Sequence, residues 1–261
     1  MKIIPFAFSL LVLAVSGPLC QLKAQTQTKP SQVLADFRKD QQSSPSQIPA
    51  ATQRAVLSKV FRKYFTDDSK CNTGFELSSK DYLKAARNAG QIVPSIVDSA
   101  TGSFTAPGQS QTAYVISVNE CNASHADNFG TKRIAIFAGQ QLIADLDVDF
   151  HSSIFKKTDL DADGIDELLM TTGDMAQGVL TALATLFSFR GGQLKILEDF
   201  GTVLEDSCAS EAPGSNARAA VLSIGAATPG KMPKIRSDIY SSSCRVGAKR
   251  WQFVATGKMP E

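Results

Sequence analysis

After its first fifteen residues the chain has no apolar run long enough to span a bilayer, and it carries one Trp, two His and no marked excess of either charge. A transmembrane helix needs about 20 consecutive apolar residues, so none is expected. Near neutrality excludes the broad positive field that nucleic acid or anionic lipid requires. No Gly-x-Ser-x-Gly elbow, His-Glu-x-x-His pair, phosphate loop or Gly-x-Gly-x-x-Gly fingerprint occurs, so the usual sequence support for most enzyme classes is missing. No Cys-x-x-Cys pair is present, which argues against zinc and thiol-redox sites. Nor does any unit recur at a fixed period, so a propeller or solenoid built of copies is not expected.

What is present begins with "MKIIPFAFSLLVLAVSGPLCQLKA", where Lys2 precedes an apolar stretch from Ile3 to Val15 and then small and turn-forming residues. This has the form of an export signal, with cleavage expected after Ala24 and the mature chain periplasmic or secreted. Cys20 is not expected to carry lipid, because Leu19 stands where lipoprotein signals have a small residue. Residues 1–24 hold two of the 27 basic residues and no acid, which leaves 25 basic against 25 acidic. The remaining cysteines, Cys71, Cys121, Cys208 and Cys244, are even in number, and in an oxidising compartment they point to disulfides. Three pairings are possible. Cys71 with Cys121 and Cys208 with Cys244 join near neighbours and are the expected pair.

Residues 25–49 are mostly Gln, Ser, Pro, Thr and Lys, a composition expected to form a disordered tether. The globular part is then 50–261. Val56, Leu57, Val60, Phe61 and Tyr64 recur at helical spacing with Arg54, Lys59, Arg62 and Lys63 between them, so an amphipathic helix is predicted. A second is expected over 78–90, from the capping-box pair Ser78 and Asp81 to the stop at Gly90. From 91 onward the period changes to two. Runs such as "QTAYVISVNEC", "KRIAIFAG" and "ARAAVLSIGA" are separated by Gly, Pro, Ser and Asn, and "LFSFRGGQLKIL" reads as a hairpin with a Gly-Gly turn. The fold class is α+β and mainly β: N-terminal amphipathic helices (50–90), then an antiparallel sheet or sandwich (91–261), not a full propeller.

"KKTDLDADGIDELLMTTG" concentrates chemistry. Asp159, Asp161, Asp163, Asp166 and Glu167 fall within nine positions, and at close range their charges repel unless a cation joins them. Counted from Asp159, side-chain oxygens stand at positions 1, 3 and 5, Gly164 at 6, the Ile165 carbonyl at 7 and Glu167 at 9. Calcium suits this arrangement, because it accepts six to eight oxygens at flexible angles and Gly lets a tight loop turn. An EF-hand needs a bidentate Glu at position 12 and flanking helices, whereas here position 12 is Met170, position 8 is Asp166, and the flanks favour strand. The stretch resembles the calcium loop of FG-GAP and VCBS repeats, as in integrin α-chain propellers, where Asp-x-Asp-x-Asp-Gly-x-x-Asp/Glu connects two strands. The resemblance covers about fifteen residues. It implies one Ca2+ held by Asp159, Asp161, Asp163, the Ile165 carbonyl and Glu167.

Other candidates have plainer explanations. Asp145, Asp147 and Asp149 alternate with Leu146, Val148 and Phe150, as a strand with one wet face would, or as a carboxylate pair for hydrolysis. Cys121 and His125 could form a nucleophile and base, but disulfide use fits an exported chain better. Phe104 and Tyr114 are either ligand contacts or core anchors. Two function classes stay open: an extracytoplasmic, calcium-stabilised module binding a protein or glycan, and a secreted hydrolase that uses these acids. The second requires a cleft lined by carboxylates outside the metal loop.

Overall fold

A computed structural model describes residues 32–39, 48–61, 92–120, 132–210, 214–226, 228–244 and 249–259. The expected export signal, the helix over 78–90, Cys71, Cys121 and His125 lie outside these residues. In chain order the elements are β1 (Gln32–Asp36), α1 (Ala50–Phe61), β2 (Ile92–Gly102), β3 (Gln111–Glu120), β4 (Lys132–Ala138), β5 (Gln141–Asp147), β6 (Ser153–Thr158), β7 (Glu167–Ala176), β8 (Val179–Ser188), β9 (Lys195–Asp206), β10 (Asn216–Ile224), β11 (Ile235–Ser243) and β12 (Gln252–Thr256). The fold is mainly β, with antiparallel pairing throughout the described strands.

Strands β2 to β5 form a four-stranded meander, and β6 to β12 form a larger sheet in reverse sequence order. Pro94 sits in β2, an edge strand of the meander, the kind of strand in which proline is tolerated. The larger sheet curls. Its β10 shares one edge between two partners: Ala217 to Ala219 pair with β9, and Val221 to Ile224 with β1. At the other end of the curl, Lys156 Nζ of β6 donates to the Leu34 carbonyl of β1 at 3.0 Å, and the Phe37 and Phe155 rings stand 4.6 Å apart. The result is a half-barrel rather than a closed propeller.

The apolar side chains form three layers of core. Inside the curl, Leu34, Phe37, Leu169, Leu186, Phe200 and Leu222 pack together. Between the curled sheet and the meander lie Phe104, Val115, Ile134, Leu168, Met170 and Phe187. Beyond the meander, α1 lays Val56, Leu57, Val60 and Phe61 on Ile96, Ile116, Ala135 and Phe137. Strands β3, β4, β7 and β8 are thus covered on both faces over part of their length, which is why Ile134 to Ala138 are continuously apolar. The sequence places α1 and the strands after 91 correctly. The tether expected over 25–49 is interrupted, however: Gln32–Asp36 is a strand, with Leu34 and Ala35 each 3% exposed. Its few apolar residues are too sparse to signal order locally, and its burial comes from pairing with residues almost two hundred positions away.

Candidate metal centre

The acidic stretch is the connection between antiparallel strands β6 and β7, so its flanks are strands as the sequence implied. Within it, Asp159 accepts from the main chain, from the Asp163 N–H at 3.1 Å and the Gly164 N–H at 2.9 Å. Gly164 has φ +85°, a conformation that favours glycine, and an added Cβ would lie 3.1 Å from Pro107. These bonds fold the loop tightly. Carboxylate oxygens of Asp159, Asp161 and Glu167 consequently lie within 4.8 Å of one another, although the three residues range from exposed to buried.

Glu167 is the deepest of the three, at 2% exposure. Burial pushes its carboxyl up to about 7; the charges of Asp161 and Asp159 push the same way, against a hydrogen bond of 2.9 Å from the Leu160 N–H. Asp161 Oδ1 is buried and has no hydrogen-bond partner. A buried, unpaired carboxylate oxygen is costly, and a cation is the partner that would relieve it and its two neighbours together. The donor set therefore fits a hard, oxygen-seeking ion such as calcium. Asp163 lies differently: its carboxylate accepts from the Ile165 N–H at 2.8 Å and pairs with Arg190. Ile165 buries its side chain at 1% exposure. Of the five expected ligands, the structure gathers the carboxylates of Asp159, Asp161 and Glu167.

Compared with family models, curated proteins and solved structures, the chain matches none. The site therefore rests on its own geometry.

Three other connections meet this loop. Asp166 and Ser103, in the β2–β3 turn, exchange two bonds: Asp166 N–H to the Ser103 carbonyl at 2.7 Å, and Ser103 N–H to Asp166 Oδ2 at 2.8 Å. Lys157 stands 3.6 Å from the same carboxylate. Arg190, which pairs with Asp163, opens the β8–β9 turn, where the Gly191 N–H donates to the Thr105 carbonyl at 2.8 Å. From the β10–β11 connection, the Gly230 N–H donates to the Asp161 carbonyl at 2.6 Å. Apart from Lys157, none of these partners is near the loop in sequence, so no local signal could have found them.

Two of the other candidate acids, Asp145 and Asp147, are engaged in structural bonds. Asp145 is bonded to Arg133 at 2.7 Å across β4 and β5, and Asp147 accepts from the Asp149 N–H at 2.8 Å. His151 holds the Val148 carbonyl at 2.9 Å and packs edge-on to Phe187. Phe104 is fully buried, and its N–H and that of Thr105 both donate to the Gln111 side-chain oxygen. Tyr114 packs against Phe137. Cys208 and Cys244 form the expected disulfide, with Cα atoms 5.2 Å apart. Among the described residues, no helix is long and apolar enough to cross a membrane.

Proposed function

We propose that the chain is a non-enzymatic, extracytoplasmic binding or interaction module whose β6–β7 loop holds one calcium ion. The observation that carries this reading is the meeting of three carboxylates within 4.8 Å, one of them presenting a buried oxygen with no partner. Asp159, Asp161 and Glu167 would hold the ion, with the Ile165 carbonyl and Asp163 as the further ligands implied by the FG-GAP-like spacing. Bound there, calcium would cancel the repulsion among the three carboxylates and leave the loop's contacts to both sheets intact. The Cys208–Cys244 disulfide supports an oxidising compartment. The module reading is favoured over a hydrolase by the engagement of Asp145 and Asp147 in structural bonds. Protein or glycan is the expected partner class.

Thermal melting tests the reading. At about 100 times the dissociation constant, an ion that binds the folded state alone adds about 2.7 kcal/mol. For a chain of this size that raises the melting temperature by about 5 to 11 °C. Metal-stripped protein should lose the increment and regain it on adding calcium. Equal melting temperatures in both states, with no heat of binding by calorimetry, would remove the metal from this proposal.

A further inference from the structure

Strands β9 and β10 pair only from Leu204 to Asp206 and Ala217 to Ala219. Beyond that contact a cavity of about 720 Å³ opens between β9, the end of β10, the start of β11 and the residues after β12. This is within the range of about 300 to 1,000 Å³ typical of small-molecule sites. Its apolar wall is made by Phe200 and Ile224, buried members of the core inside the curl, and by Ile235, which packs against that core. The cavity is thus a place where the half-barrel's interior meets solvent, and apolar surface left there is stabilised by covering it.

The charge around it is mostly positive. Lys234, Arg236 and Lys258 line it, against the single carboxylate of Glu198. Arg236 is already held by Asp238 at 2.8 Å, and the Thr256 hydroxyl donates to the same carboxylate. Lys234 and Lys258 make no ion pair among the described residues. The wall that carries them is anchored by its main chain: the Gly225 N–H donates to the Lys234 carbonyl at 3.3 Å, and the Gly257 N–H to the Ser237 carbonyl at 2.9 Å. An anchored wall limits the conformational cost of binding. At Gly225, which lines the cavity, the nearest atom to an added Cβ is the Lys234 carbonyl oxygen at 4.0 Å, an ordinary contact, so a side chain can be accommodated there.

We propose that this cavity binds a small organic anion with an apolar body, its acyl or aryl part lying on Phe200, Ile224 and Ile235 and its anionic group near Lys234 and Lys258. The proposal rests on the reading of the chain as a binding module but not on its metal loop. Octanoate serves as the probe, with octanol lacking the charge and acetate lacking the tail. In a calorimetric and amide-NMR titration of the whole folded chain, octanoate should saturate, with shifts concentrated at Ile224, Gly225, Ile235 and Gly257. Octanol should bind about tenfold more weakly or worse, the equivalent of one lost charge-assisted contact, and acetate should not bind measurably. The double variant Lys234→Glu/Lys258→Glu, both positions exposed, should lose octanoate affinity by at least about tenfold and leave octanol unchanged. Gly225→Phe should exclude both by filling the cavity. Octanol binding as tightly as octanoate, octanoate affinity surviving charge reversal, or shifts scattered away from the cavity would each overturn the proposal. Titrations in calcium and after metal stripping separate the two readings: octanoate binding without any thermal response to calcium refutes the metal alone, and the converse refutes the cavity alone.

Discussion

Glu167 is the buried carboxyl of the acidic loop, and its sign with pH follows from that. Its ordinary value of 4.5 rises to about 7 in the fold, so the folded state holds this proton more tightly than the unfolded chain does. Without metal, the resulting stability is fully present below pH 4.5 and is lost as pH rises through about 7. Calcium requires the ionised form, so its stabilising effect should run the opposite way. The melting-temperature gain on adding calcium should be larger at pH 8 than at pH 5. A gain that stays constant across that range would argue against Glu167 as a ligand. Glu167→Gln should melt at or above wild type at pH 8 without metal, yet show no calcium response. The spacing of these acids is legible in the sequence because a loop ligand set is local. The pairing of Asp163 with Arg190 is not, since it joins two turns brought together only by strand pairing.

Strand β1 shows what composition overlooks at the scale of an element. Leu34 is 3% exposed inside the curl, so Leu34→Ala should cost about 2 to 5 kcal/mol by chemical denaturation. A cost near zero would restore the tether reading for these residues. The neighbouring Asp36 carboxylate, bonded bidentately to Arg38, is held below its ordinary range by that hydrogen bond, and Arg38 stacks 4.3 Å from the Tyr240 ring of β11. The strand is therefore fixed to β10 by its ladder and to β11 by one side chain. Helix α1, by contrast, was legible because its four buried positions follow a 3.6-residue period that needs no partner to be seen. The disulfide is a second element-scale device. It closes a separation of 36 residues and ties the segment after β9 to the end of β11. In the chain-entropy model, replacing both cysteines by Ala should lower stability by about 3 to 4 kcal/mol, measured against wild type under oxidising conditions.

Across the whole molecule, the acidic β6–β7 loop is a junction between two sheets. Ser103 belongs to the meander's β2–β3 turn, Arg190 to the β8–β9 turn, and Gly230 to the β10–β11 connection, and each is bonded to a residue of the loop. Stripping the metal should therefore raise amide hydrogen exchange at Phe104 and Gly230 as well as at residues 160–166. Faster exchange confined to the loop would mean that the junction holds without the ion. At Gly102, an added Cβ would fall 2.5 Å from Asp166 Oδ2 and 2.8 Å from Lys157 Cδ, so even an alanine there disturbs the join between the sheets.

By itself the sequence determined the local matters: a helix from its period, strands from alternation and turns, a tight acidic loop from the spacing of its acids, and one disulfide from neighbouring cysteines. Each depends on residues close in the chain, where side-chain geometry follows directly from backbone period. Only the tertiary structure decided that the large sheet curls, that a short polar-flanked segment becomes its β1 strand, that three turns lock onto the acidic loop, and that cations gather around a cavity at the open end of a core. Those features arise where burial pays the entropy of bringing distant segments together, and that balance is a property of the assembled molecule rather than of any stretch of the sequence.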